Sequence, residues 1–292
     1  MADYVLVTDG TADLPGELFA KLGVEVVPME FFVNEKPYQH YVDAREMSFE
    51  EFYRRVKAGD KVSTSQINYF TYEEVFTPIM EKGLDILYLC FSSGLSGTYQ
   101  ASLMAAETLM EKYPGRKIVS VDSLCASIGE GLLAYRAGLK KQEGLSMEEL
   151  EKWIYENRLK VRHWFVVDDL DHLRQGGRIS AAAAILGTAL GVKPLLSVDK
   201  EGKLVTAAKL RGPKKVLETF CQKIESEGYK SSEQTVVIGH AANPELAGKL
   251  KKTLLERGLI KDAIIADIGP VIGTHVGAGM CALVYTSDKD LQ

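Results

Sequence analysis

The chain has 292 residues, more than one hydrophobic core usually spans, so two lobes of roughly 150 residues each are expected. Hydrophobic residues make up 46% and charged residues 26%, which excludes a disordered or collagen-like chain. With 35 basic against 40 acidic residues and a net charge of −5, no long-range field draws the molecule to nucleic acid.

In chain order, the first β-rich runs are YVLVTD at 4 to 9 and VEVVPMEFFV at 24 to 33, followed by ILYLCFS at 86 to 92 and KIVSVDS at 117 to 123. Amphipathic segments separate them, a rhythm that predicts βα crossovers and a parallel sheet. Ser48 with Glu51 and Thr71 with Glu74 have the spacing of capping boxes, and Gly59 and Gly83 mark helix ends. Asp9 and Asp13 flank the first turn like a metal pair, but Asp13 before Leu14 and Pro15 reads better as an N-cap. A helical stretch from about Ser127 to Lys160 is interrupted at Gly144 and recapped by Ser146.

The lobe boundary is expected near residue 160, giving an N-terminal parallel α/β domain at 1–160 and a C-terminal mixed domain at 161–292. Beyond it come the strand WFVVDDL, the loop LRQGGRIS, an apolar helix at 181 to 192 and a hairpin in LLSVDKEGKLV. Helix 213 to 227, strand TVVIGHA, helix 244 to 257 and strand AIIADIG complete an α+β lobe, with His240 at a strand end.

The N-terminus has neither a basic n-region nor an apolar h-region, and no apolar run reaches the ~18 residues of a spanning helix. Cys90, Cys125, Cys221 and Cys281 are widely spaced and read as reduced core thiols. A soluble protein of the cytoplasm is expected. The five histidines show no metal-ligand spacing, and neither a Walker loop nor a dinucleotide fingerprint occurs, so no metal or cofactor is expected.

Chemistry is concentrated in STSQ at 63 to 66, SSGLSGT at 92 to 98 and IGTHVGAG at 272 to 279, hydroxyl- and glycine-rich loops where strands end or helices begin. Such loops bind anions through backbone N–H groups and hydroxyls. In SSGLSGT, Gly94 and Gly97 permit close backbone approach, and Ser96 serves either as an N-cap or as a ligand contact. Thr64 could equally close a simple turn, and His275 could be a structural histidine. None of these loops contains Lys or Arg, which suits a singly charged carboxylate better than a phosphate. Arg178 in LRQGGRIS is the nearest guanidinium, at the rim or bracing a loop. The small apolar residues at 181 to 192 fit a buried helix or the wall of a narrow tunnel. About fifteen buried methylenes at ~0.8 kcal/mol each would outweigh head-group hydrogen bonds at ~0.5–1.5 kcal/mol. The competing reading is a serine hydrolase acting on acyl esters, with Ser96 as nucleophile and His275 as base. GLSGT lacks the spacing of a nucleophile elbow.

Taken together, TSQ at 64 to 66, SSGLSGTYQ at 92 to 100, GGRIS at 176 to 180, KPLLSVDKEGKL at 193 to 204, LRG at 210 to 212 and IGPVIGTHVGAG at 268 to 279 resemble the DegV family from first strand to last. The resemblance implies a parallel three-layer α/β/α lobe and a mixed-sheet α+β lobe enclosing a lipid tunnel, an arrangement shared with dihydroxyacetone kinase subunits. It implies one bound long-chain fatty acid, presented by a non-catalytic subunit to a separate ATP-binding fatty acid kinase. Carried over residue by residue, Thr64 and Ser96 with Gly97 would hold the carboxylate, Thr274 and His275 would lie close to it, and Arg178 and Arg211 would mark the site rim or the partner interface. Lys209, Lys214 and Lys215 make the Arg211 surface locally basic. Ile67 and Ala278 replace prolines usual in the family, which touches loop rigidity rather than the site.

Overall fold

A computed structural model describes residues 4–168, 170–180 and 191–291. The first sheet is wholly parallel, in the order β2-β1-β6-β7, built from β1 (Tyr4–Asp9), β2 (Val24–Val27), β6 (Asp85–Cys90) and β7 (Ile118–Asp122). Leu6 in β1 pairs with Val24 on one side and Leu87 on the other. Buried on both faces, these strands are near-continuous apolar runs, as a parallel sheet requires. The helices α1 (Gly16–Leu22), α3 (Tyr69–Glu81), α4 (Thr98–Lys112) and α5 (Ile128–Gln142) cover them.

The expected strand at 24 to 33 breaks at Pro28, whose missing N–H cannot serve a ladder. Its second half, β3 (Met29–Val33), joins β4 (Lys36–His40) and β5 (Val62–Thr64) in a small antiparallel sheet, β4-β3-β5. Thr64 thus ends a strand opposite Phe31 rather than sitting in a free turn. Of the two predicted capping boxes, Ser48 caps α2 (Phe49–Lys57) by accepting from Glu51 N at 3.1 Å. The other is displaced: Asn68, not Thr71, caps α3 by accepting from Thr71 N at 3.1 Å.

The third sheet is mixed, in the order β10-β9-β8-β13-β11-β12. It comprises β8 (Val161–Val166), β9 (Val192–Val198), β10 (Leu204–Arg211), β11 (Thr235–His240), β12 (Asp262–Asp267) and β13 (Cys281–Thr286). The predicted strand at 164 to 170 lies three residues earlier because β8 pairs with β13 from Val161 onward. The helix α6 (Met147–Asn157) opens with a full capping box between Ser146 and Glu149, as read from the sequence, and the β9–β10 hairpin also forms. His240 closes β11. Of the apolar helix predicted at 181–192, residues 181–190 lie outside the described residues, and Val192 begins β9 rather than continuing a helix.

Two apolar clusters divide at this third sheet. Trp164, Val166, Leu283 and Tyr285 face outward to α8 (Pro213–Glu227) and α9 (Pro244–Glu256), whereas Phe165, Ala282 and Val284 face inward. The inward cluster runs continuously into the parallel sheet, because α5 packs on β6 from one sheet and on β8, β11 and β13 from the other. Among the described residues, no helix is long and apolar enough to cross a membrane.

Candidate functional site

Four segments converge between the sheets. Thr64 ends β5. Ser96 lies in the loop from β6 to α4, Arg178 follows the short α7 (Asp171–Gln175), and His275 lies on α10 (Pro270–Val276). Although 211 positions apart in sequence, Thr64 Oγ1 and His275 Nε2 are 3.0 Å apart. Gly97 lets two of the loops meet: a Cβ there would stand 2.1 Å from Gln66 Oε1, so any side chain would displace the Gln66 amide that reaches from the TSQ loop to the SSGLSGT loop. Arg178 braces the same loop, donating from Nε to Leu95 O at 3.0 Å and from a terminal nitrogen to Gly176 O. Among the described residues, both Arg178 hydrogen bonds therefore go to backbone carbonyls.

Ser96 is not the N-cap of α4; Gly97 occupies that position. Ser96 Oγ accepts from Thr98 N at 3.3 Å and lies 2.9 Å from Thr98 Oγ1. When Thr98 donates, the Ser96 proton is free to point into the cavity. The serine hydrolase arrangement is not formed, since Ser96 pairs with Thr98 and His275 pairs with Thr64. Burial, with Arg178 and His172 adding like charge, lowers the His275 pKa to about 4, so the ring is neutral at physiological pH.

The cavity behind these groups is narrow, with a volume of about 80 Å3. Its walls are largely apolar, with Phe91, Ile128, Phe165, Ile272, Met280 and Val284 among them. Thr64, Ser96, Arg178 and His275 also line it. Thr64, Arg178 and His275 line in addition a broader, polar vestibule that includes Lys61, His172 and Gln175. Three side chains thus stand between an apolar bore and a polar mouth.

Of the residues expected to hold the carboxylate, Gly97 and Thr274 do not line the bore, and Arg211 was expected only at the rim or partner interface. Thr274 lies on the vestibule side, and its single hydroxyl proton is given to Pro270 O at 2.9 Å within its own helix, leaving none for an anion. Arg211 ends β10 on the exposed surface. Asp13 is not the N-cap of α1 either: that position is Pro15, without a side-chain hydrogen bond. The Asp13 backbone is left-handed, with φ of 50°, and its carboxyl turns inward, accepting from Gly269 N at 2.8 Å and meeting Ser127 Oγ at 2.6 Å.

Beside it lie two buried acids, Asp9 and Glu130, of which the sequence reading missed Glu130. Asp9 accepts from Thr11 N, Tyr88 OH and Phe91 N, and the Thr11 hydroxyl bridges Asp9 and Glu130 Oε2. One hydroxyl carries one proton, so the second carboxyl at Thr11 must supply its own. Asp9 already accepts three other donors, which places that proton on Glu130, whose pKa burial raises well above the carboxylate range. The available signal was a lone Glu in the apolar, glycine-flanked run IGEGLLA. Among the described residues, no group of His, Cys, Asp and Glu has a metal-binding arrangement.

A family model described as an uncharacterised protein of the DegV family matches residues 4–288. A DegV domain-containing protein of Clostridium perfringens is 40% identical over 288 residues, covering 99% of each chain. The structure of a fatty-acid-binding DegV family protein from Thermus thermophilus superposes with a TM-score of 0.86 at 31% identity, covering 97% of this chain and 99% of that one. DegV of Bacillus subtilis, a fatty acid binding protein, gives a TM-score of 0.83 at 26% identity over 99% and 100% of the two chains. With fold, sequence and family model in agreement over nearly its whole length, the chain belongs to the DegV family.

Proposed function

We propose that this chain binds one long-chain fatty acid in the narrow cavity and presents its carboxylate to a partner ATP-dependent kinase for phosphorylation to an acyl phosphate. The observation that carries the reading is the juxtaposition of a narrow apolar bore and uncharged donors: Ser96 and Thr64 at the head, with neutral His275 behind Thr64. His275 Nε2–H donating to Thr64 Oγ1 would free the threonine proton for the carboxylate. The fatty-acid-binding relatives of similar fold support the lipid. The vestibule shared by Thr64, Arg178 and His275 is the side from which a kinase would reach the head group. The chain itself supplies binding and orientation rather than catalysis and needs no cofactor for that. Its four free, buried cysteines suit the cytoplasm.

The deciding experiment is native mass spectrometry of the purified protein followed by lipid extraction. One equivalent of a long-chain fatty acid is expected, and incubation with ATP and a cognate kinase subunit should yield its acyl phosphate. A protein that carries no lipid and takes up none on incubation would overturn the reading.

A further inference from the structure

The polar contacts of the buried acids do not end on one another; they end on the backbones that carry the head group. Asp9 Oδ2 accepts from Phe91 N at 3.1 Å, where β6 gives way to the loop holding Ser96. Tyr88, bonded to the same oxygen, lies 3.3 Å from Tyr72 OH, which donates to Thr98 O at the start of α4. Asp13 takes the other half, accepting from Gly269 N immediately before α10, the helix that carries His275. A second contact holds that entry: Tyr53 OH donates to Ile268 O at 2.7 Å.

We propose that Asp13 is a positioning residue for the head-group site, clasping the Gly269 N–H at the entry to α10 so that His275 meets Thr64. The inference rests on the proposed fatty acid binding and deepens it by naming what sets the register of the two walls. Gly269 itself is part of the device, because a Cβ there would stand 2.1 Å from the His40 ring and 2.9 Å from Asp13 Oδ1. The groups facing Asp13 are Asp9 at the end of β1, Glu130 and Ser127 at the start of α5, Tyr53 on α2 and His40 on β4; Asp267 ends β12 close to Tyr53. No cation is among them, and burial pushes the Asp13 carboxyl up to about 8. A neutral carboxyl accepts from Gly269 with one oxygen and donates to Ser127 with the other. On ionisation both oxygens accept, from Gly269 N–H and from Ser127 Oγ–H, but a buried anion then faces Asp9 with no countercharge, and burial and repulsion outweigh the two hydrogen bonds and draw the carboxylate out of the clasp.

The experiment measures affinity for a naturally fluorescent polyene fatty acid from pH 6 to pH 9 in the full chain. Wild type is expected to bind with constant affinity up to neutral pH and to weaken as pH rises through about 8. In Asp13→Asn the carboxamide reproduces both hydrogen bonds of the neutral carboxyl and cannot ionise, so neutral-pH affinity is kept and the alkaline fall disappears. The probe's own titration is common to both proteins and cancels in their ratio. Asp13→Ala leaves Gly269 N–H without its acceptor and is expected to weaken binding about three- to tenfold at neutral pH. Should Asp13→Ala not fold, the ratio of Asp13→Asn to wild type decides alone. A ratio that stays flat to pH 9 overturns the proposal. Wild type that fails to bind the probe at pH 7 would instead overturn the fatty acid reading.

Discussion

The two faces of the third sheet are made by the same strands and do opposite work. On β8, Trp164 and Val166 point outward into a cluster of Phe220, Ile224, Leu250 and Leu254, where apolar side chains fill the space. One residue along, His163 and Phe165 line the cavity side, where packing is incomplete and carboxyls and histidines are buried. Strand alternation alone separates them, so a period of two residues divides stability from binding within one sheet. The outer face thus anchors the strands, while the inner face tolerates a void and, among the described residues, a buried polar atom without a hydrogen-bond partner, His163 Nδ1.

The largest expected effect follows directly. Phe220→Ala in the outer cluster should cost about 3–5 kcal/mol of unfolding free energy, because a fully buried ring leaves a cavity that its neighbours cannot collapse into. Urea denaturation reads the loss, and fatty acid affinity at a temperature where the variant is folded should be unchanged. An affinity change parallel to the stability loss would break the division between faces.

How much of this was readable in the sequence depends on the range of the interaction concerned. Ser146, Ser48 and the β6–SSGLSGT–α4 unit are local, and their residues name their own structure. Pro28 and Asn68 were also local signals, but each competed with a neighbour of similar appearance: an apolar run on both sides of Pro28, and Thr71 with its own acidic partner. Asp13 was beyond reach for a different reason. The spacing of Asp13 before Leu14 and Pro15 satisfies a capping rule, and partners 114 and 256 positions away, Ser127 and Gly269, draw the carboxyl inward. Thr64, Ser96 and His275 could be nominated by residue type, yet the hydrogen bond joining Thr64 to His275 and the one turning Thr274 away belong to tertiary structure.

Next in size are the head-group variants. Ser96→Ala removes one donor from the proposed carboxylate site and should weaken fatty acid binding about tenfold or less, with little change in stability, since its partner Thr98 can turn elsewhere. Thr64→Val removes a donor and also strips His275 Nε2 of its partner, so it should weaken binding at least as much and destabilise the chain by about 1–3 kcal/mol. Titration of each variant with the same fatty acid checks the order. Equal affinity in wild type and both variants would remove these hydroxyls from the site.

A smaller effect is expected from acid. Burial holds His275 and His40 at a pKa of about 4 and His163 at about 3, all three on the inner side. A histidine neutral in the folded chain takes up its proton on unfolding below the ordinary value of 6.5, so stability falls as pH drops from 6.5 toward 4. His275→Gln should make that fall shallower by one proton's share, measured as the slope of unfolding free energy against pH. An unchanged slope would mean that His275 is charged in the fold or already open to solvent.

The smallest effect should come from Arg211, which lies at the exposed end of the sheet's edge strand. Arg211 and Leu204 are at opposite ends of β10, and Leu204 lines the cavity. Seven residues of extended strand separate them by about 23 Å at ~3.3 Å per residue. That distance exceeds the Debye length of ~8 Å at physiological ionic strength, and solvent surrounds the guanidinium, so its charge is screened from the Leu204 end of the cavity. Arg211→Glu should therefore leave unfolding free energy and fatty acid affinity within about twofold of wild type, while lowering the rate of phosphorylation by a kinase that docks on this basic turn. The rate loss should diminish as salt is raised, because an electrostatic contact between proteins is screened in the same way. Loss of fatty acid affinity on reversing this charge would show that the edge strand communicates with the bore through β10 itself, through the register shift between Thr206 and Ala208, and the surface could no longer be treated apart from the site.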